Sequence, residues 1–197
     1  MNIFFTAPHS AKTKLQDAYD EIIRILKKSK HQIISLELQK YDNLLDKKTT
    51  SKLTKDEKHY LYTKKGINKA QAIIIETTVQ KFQIGHEATL ALLYNKPVLC
   101  LSKEKDYSTQ IKHPKFYAKR YKKNEDLEKI ILDFINTVKK KHISVRFNSY
   151  LSADEKNFLD WYSKKQGKTI SEVIRDLVKE KKNEIPGYQD DLTRLLA

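Results

Sequence analysis

The 197 residues carry a formal net charge of +14 and are 39 % hydrophobic, which allows one medium domain plus a small one and favours anionic partners. The single cysteine, Cys100, excludes a disulfide framework and suits a reducing cytosol. No apolar run approaches the ~20 residues needed to span a bilayer, and Met1-Asn2-Ile3-Phe4 lacks a charged signal-peptide start, so a cytoplasmic protein without membrane contact is expected.

Strands and helices alternate through the first 140 residues. A short apolar strand opens the chain at 2–7. Residues 11–29 place Leu15, Ala18, Tyr19, Ile22, Ile23 and Leu26 on one helical stripe. A second strand follows at 32–36, then a polar stretch at 40–54 that reads as an exposed loop. A helix over 55–69 leads into the most apolar strand, 70–76. A helix at 84–94 precedes a strand at 97–101; a fifth strand falls at 115–118 and a helix at 125–138. Apolar strands without alternation, separated by helices, predict an α/β fold: a Rossmann-like, doubly wound, five-stranded parallel sheet covered on both faces. Ligands of such sheets sit beyond the carboxyl ends of the strands, here 6–10, 76–87 and 102 onward.

The four glycines, Gly66, Gly85, Gly167 and Gly187, are too dispersed for a dinucleotide fingerprint or a P-loop. His59, His86 and His113 are scattered, read as surface or loop residues, and form no metal-ligand spacing with Cys100. No metal or cofactor is expected.

What remains is Thr77-Thr78-Val79-Gln80-Lys81-Phe82-Gln83-Ile84-Gly85-His86-Glu87-Ala88, followed by Lys96-Pro97-Val98. This layout resembles the nucleoside 2-deoxyribosyltransferase superfamily and, within it, the 2'-deoxynucleoside 5'-phosphate N-hydrolases, over about residues 2–138. The resemblance implies that Glu87, two residues after Gly85, attacks or stabilises the anomeric carbon as the base leaves, work that needs a carboxylate at an oxocarbenium-like centre. A place near a helix start would favour its ionised form. Phe4 stands where the family has a tyrosine orienting the nucleophile, and Thr63 where it has an aspartate that binds the sugar and assists proton transfer. Ala7-Pro8-His9-Ser10 replaces its glycine-rich first turn. Lys81 matches a phosphate-binding loop serine and can hold phosphate as a point charge. Ser108 matches a second such serine, which the family donates from the neighbouring subunit. Asp56, Glu57 or His9 are candidates to stand in for the aspartate. Two functions follow: an N-glycosidase or deoxyribosyltransferase acting on a (deoxy)nucleotide, or a catalytically impaired nucleotide sensor.

Residues 141–182 read differently. Ile143, Val145 and Phe147 alternate with His142, Ser144 and Arg146, the pattern of a half-buried strand. Two helices follow, starting at the capping boxes Ser152-Ala153-Asp154-Glu155 and Thr169-Ile170-Ser171-Glu172, the first stopping at Gly167. With Gly167-Lys168-Thr169-Ile170-Ser171-Glu172-Val173-Ile174-Arg175, this segment resembles the ribbon-helix-helix DNA-binding family. That resemblance implies a homodimer or higher even oligomer on double-stranded DNA, with His142, Ser144 and Arg146 facing the major groove and Thr169, Ile170 and Ser171 offering backbone N–H groups to phosphate. The expected organisation is therefore a nucleotide-handling domain at 1–138, a small β-α-α domain at 141–182 and a tail at 183–197. On this reading Arg146→Ala abolishes sequence preference in duplex-binding titrations while sedimentation still shows a dimer. Wild-type protein that shows no salt-dependent binding to any duplex would refute the DNA role.

Overall fold

Strands that are apolar on both faces must be covered on both faces, and the chain folds accordingly. The structure, a computed structural model, describes residues 1–46, 50–141 and 147–185. Strands β1 (Asn2–Thr6), β2 (Gln32–Ile34), β3 (Ala72–Glu76), β4 (Val98–Ser102) and β5 (Phe116–Arg120) form one parallel five-stranded sheet in the order β2-β1-β3-β4-β5. The helices between them are α1 (Lys12–Lys28), α2 (Lys55–Lys69) and α3 (Phe82–Leu93), and α4 (Glu125–Lys141) follows β5.

Successive strand side chains point to opposite faces. Ile3, Phe5, Ile74, Leu99 and Leu101 pack with Leu15, Ile22 and Leu26 of α1 and Leu127 and Ile131 of α4. Phe4, Ile73, Ile75, Val98 and Cys100 pack on the other side with Tyr62 and Ile67 of α2 and Ile84 and Ala91 of α3. Two helices therefore cover each face of a Rossmann-like α/β sandwich, and each fully buried Ile or Leu contributes roughly 1.5–3 kcal/mol. Burial pushes the Cys100 thiol up to about 12.

Two expectations shift. The helix expected to stop at 138 runs to Lys141, because Lys139, Lys140 and Lys141 suit its carbonyl end, where cations meet the helix dipole. The stretch at 40–54 is less exposed than its lysines suggest. It forms a 3₁₀ turn at Tyr41–Asn43, and Leu45 is buried in the core beneath α2 and α3. Its last residue, Thr54, caps α2: its hydroxyl accepts from the Glu57 N–H at 3.3 Å while Glu57 Oε2 accepts from the Thr54 N–H at 2.7 Å. That capping box occupies Glu57.

A second compact unit begins at Ser144. Helices α5 (Ala153–Gln166) and α6 (Ile170–Glu184) form with both capping boxes closed, and Gly167 ends α5 with φ 63°, the left-handed conformation that favours glycine. Thr169 is the N-cap of α6, and Ile170 and Ser171 open its first turn. The strand expected at 141–148 is not seen in its described part: Lys141 ends α4, and residues 147–150 are irregular and exposed. His142, Ser144 and Arg146 lie outside the described residues, as do residues 186–197 of the tail. Leu159 and Val173 are buried in this unit, whereas Phe158, Trp161, Ile174, Leu177 and Val178 are exposed.

Gly66 is the tightest point between helix and sheet. A Cβ there would fall 2.5 Å from Cδ2 of Phe4, a contact no real side chain makes. Gly66→Ala should therefore lower stability by about 1–3 kcal/mol despite alanine's better helix propensity, read from the urea midpoint. A more stable variant would show that α2 and β1 have room to part.

Candidate active site

In a sheet ordered β2-β1-β3-β4-β5, connections leave in opposite directions from β1 and β3, and a crevice opens where they diverge. A cleft of about 870 Å³ lies there. Its wall comes from the end of β1 and the turn after it, the segment after β2, α2 and the first turns of α3. Of the three loops expected to frame the ligand, residues 6–10 and 76–87 contribute, but none of the described residues after Ser102 does; the segment after β2, including Ser35 and Tyr41, takes that place.

Glu87 is 1 % exposed on this wall. It sits in the second turn of α3, which begins at Phe82 rather than 84, so the dipole of the helix acts on it less than a first-turn position would allow. One turn earlier on the same face, the Gln83 amide donates to Glu87 Oε1 at 2.9 Å. From α2, His59 Nε2 lies 3.4 Å from the same oxygen and is also in contact with the Gln83 amide nitrogen. His59 Nδ1 lies 3.4 Å from the Tyr41 hydroxyl. Glu87 Oε2, in contrast, is buried with no hydrogen-bond partner among the described residues. Leaving a charged oxygen buried and unpaired is costly, on the order of 1–3 kcal/mol or more, so such an atom marks a place where something else is meant to bind.

Phe4, His9 and Thr63 line the cleft as well. The Thr63 hydroxyl and the neighbouring Tyr62 hydroxyl are buried without partners among the described residues. Burial, and secondarily Tyr41, pushes the Tyr62 phenol up to about 12. Pro8, Lys81, Gly85 and Ser108 lie outside the lining. The Pro8 carbonyl accepts from the Tyr19 hydroxyl at 3.1 Å; Lys81 is the N-cap of α3; a Cβ on Gly85 would meet nothing within 4 Å; and the Ser108 N–H donates to Asp106 Oδ1 at 2.8 Å. The cationic side chains on the wall are instead Lys12, Lys40 and Lys55. Lys12 is paired with Glu37 at 2.8 Å.

His59 is the residue that sequence reasoning missed. It is no surface histidine but a helix-borne ring against Glu87. The available signal was its spacing: His59 and Thr63 are four apart on one helix and so share a face. The other two unassigned histidines part ways. His86 stacks between Tyr60 (6.0 Å) and Phe82 (6.5 Å) on the cleft wall, and His113 accepts from the Lys115 N–H at 3.1 Å in the loop before β5.

A second buried carboxylate, Glu76, closes β3. Alternation turns it to the α1 and α4 side, away from the cleft. The Tyr121 hydroxyl donates to its Oε1 at 3.1 Å, the Thr78 hydroxyl donates to the same oxygen, and the Thr78 N–H lies 3.2 Å from it. Burial still dominates and raises the Glu76 carboxyl above the ordinary 4.5, against the pull of these donors and of Lys103. A carboxyl raised on folding binds its proton more readily in the folded state. Its contribution to stability is therefore complete below the ordinary value and is lost as pH rises through the raised one. Glu76→Gln should remove this dependence, so that the variant's Tm relative to wild type rises from about pH 4 upward. A difference that stays constant over that range would show an ordinary carboxyl.

No family model and no curated protein matches the chain. Solved structures do. A CMP N-glycosidase, BcmB, from Clostridium botulinum superimposes with a TM-score of 0.50 at 14 % identity, covering 67 % of this chain and 99 % of that one. A 2-deoxyribosyltransferase from Bacillus psychrosaccharolyticus gives 0.46 at 16 % identity, covering 65 % and 90 %. The first of these likenesses establishes the fold of residues forming the sheet and its helices.

Proposed function

We propose that this chain is an N-glycosidase that cleaves the bond between base and sugar in a (deoxy)nucleoside 5'-phosphate, with Glu87 acting at the anomeric carbon. The observation that carries this reading is the division of labour within one buried carboxylate: Oε1 is held by Gln83 and His59, and Oε2 has no partner among the described residues on the wall of a nucleotide-sized cleft. Donors fixed on one oxygen orient the other, and a low-dielectric wall strengthens its attraction to positive charge building at the sugar carbon. As the C–N bond lengthens, its electron pair moves to the base. Oε2 then bonds to, or stabilises, the anomeric carbon, and water completes the exchange. Lys40 and Lys55 supply positive charge for the 5'-phosphate, and the buried Thr63 hydroxyl supplies a hydrogen bond to the sugar. The shared fold of a CMP N-glycosidase agrees with this chemistry.

One observation favours a second reading, nucleotide sensing without turnover. Phe4, 2 % exposed, has no hydroxyl to align Glu87, and Thr63 has no carboxyl to move a proton. A panel of ribo- and deoxyribonucleoside monophosphates, followed by chromatography for free base, separates the two. Release of base that falls by several orders of magnitude in Glu87→Gln, with nucleotide binding retained, is expected. Tight nucleotide binding by wild type with no base released would leave only the sensor.

A further inference from the structure

Cleavage of the glycosidic bond sets a requirement that Glu87 cannot meet alone. The departing base takes the electron pair of the C–N bond and needs a proton to leave as a neutral molecule, while the carboxylate is engaged with the sugar. The donor must stand beside the carboxylate, reach the cleft, and hold a proton that it can surrender near neutral pH.

We propose that His59 is that donor: it protonates the leaving base and then takes the proton of the water that attacks the sugar. This inference rests on the glycosidase reading above. His59 Nε2 lies 3.4 Å from Glu87 Oε1, so the proton and the carboxylate meet the same sugar–base bond. The ring is 29 % exposed against 2 % for Glu87, so it is open to the cleft that both side chains line. Its other nitrogen lies 3.4 Å from the Tyr41 hydroxyl, a contact that orients the ring and turns Nε2 toward Glu87 Oε1 and the Gln83 amide. Of the alternatives on α2 and α3, Asp56 also lines the cleft, but it is His59 that stands against Glu87. Glu57 closes the cap of α2, the His86 ring is stacked between two aromatic rings, and the Thr63 hydroxyl is not an acid near neutral pH. The titratable or charged groups sharing this wall are His9 and Lys12 after β1, Glu37, Lys40, Tyr41 and Asp42 after β2, Glu87 and His86 from α3, and Lys55, Asp56 and Tyr60 on the helix of His59 itself.

The steps balance. The imidazolium gives its Nε2 proton to the base as the C–N electron pair goes there, and Glu87 Oε2 takes up the anomeric carbon. Water then attacks that carbon, its proton passes to Nε2, and the carbon–carboxylate electron pair returns to Glu87. Nucleotide and water become free base and sugar phosphate, with no further reactant.

The test compares the full-length wild type with His59→Gln on two substrates. One is a nucleoside monophosphate that the wild type cleaves; the other is the matching 4-nitrophenyl glycoside 5-phosphate, whose nitrophenolate leaves without a proton. The variant should lose about 10²- to 10⁴-fold in kcat on the nucleotide and less than about tenfold on the nitrophenyl substrate, whose turnover also shows that it folds. The alkaline fall of wild-type kcat on the nucleotide should flatten in the variant. Equal losses on both substrates, or an alkaline limb that the variant keeps, overturn the assignment and leave Glu87 as the nucleophile. Wild type that releases neither base nor nitrophenolate overturns the glycosidase reading, and the role of His59 with it.

Discussion

The close approach of α2 to β1 is the contact on which the site depends. Gly66 presents no side chain, and the ring of Phe4 fills the space where one would stand. Residues three and seven positions earlier on a helix share its face, so the same approach that seats Gly66 on the sheet turns Thr63 and His59 inward. The helix also packs against α3, which carries Glu87 and Gln83. A bulkier residue at position 66 would lift the helix and carry the histidine away from the carboxylate. The arrangement of the cleft thus rests on an absent side chain one to two turns away from Thr63 and His59.

The two buried carboxylates differ in how fully their oxygens are paired. Both are almost wholly removed from water. Glu76 is enclosed by the hydroxyls of Tyr121 and Thr78 and by a backbone N–H, and it ties the end of β3 to the segment after β5. Glu87 is satisfied on one side only. A half-satisfied buried group is tolerated where a partner is to arrive, and local rules are broken most often at such sites.

Much of the fold was legible because its signals are local. The capping box Thr54-Lys55-Asp56-Glu57 starts α2 where the sequence places it, and the apolar runs around Ile74 and Leu99 could only be buried strands. Glu87 was legible through its setting beside Gly85. His59 was not: within Lys55-Asp56-Glu57-Lys58-His59-Tyr60 nothing marks it, and its meaning arises only when two helices far apart in sequence are laid together. Leu45 was hidden in the same way, one of three leucines in a polar, lysine-rich stretch, and the core nonetheless claims it. The cations of the cleft wall were hidden for a related reason. Lys81 lies close to Glu87 in sequence, but it is Lys12, Lys40 and Lys55 that line the same cleft as Glu87. The resemblance of the closing segment rested on a strand at 141–148; its helices formed with their caps, while α4 absorbed Lys141.

Cys100 lies on the interior strand β4, buried, with its thiol held protonated far above neutral pH. Thiolates, not thiols, react with electrophiles, so this sulfur is chemically silent in the folded chain. Since it is the sole cysteine, a second one introduced on any exposed helix would carry a thiol-directed dye or spin label without background. Distances between α2 and α3 in the presence and absence of nucleotide therefore become measurable without first stripping the protein of its own sulfur.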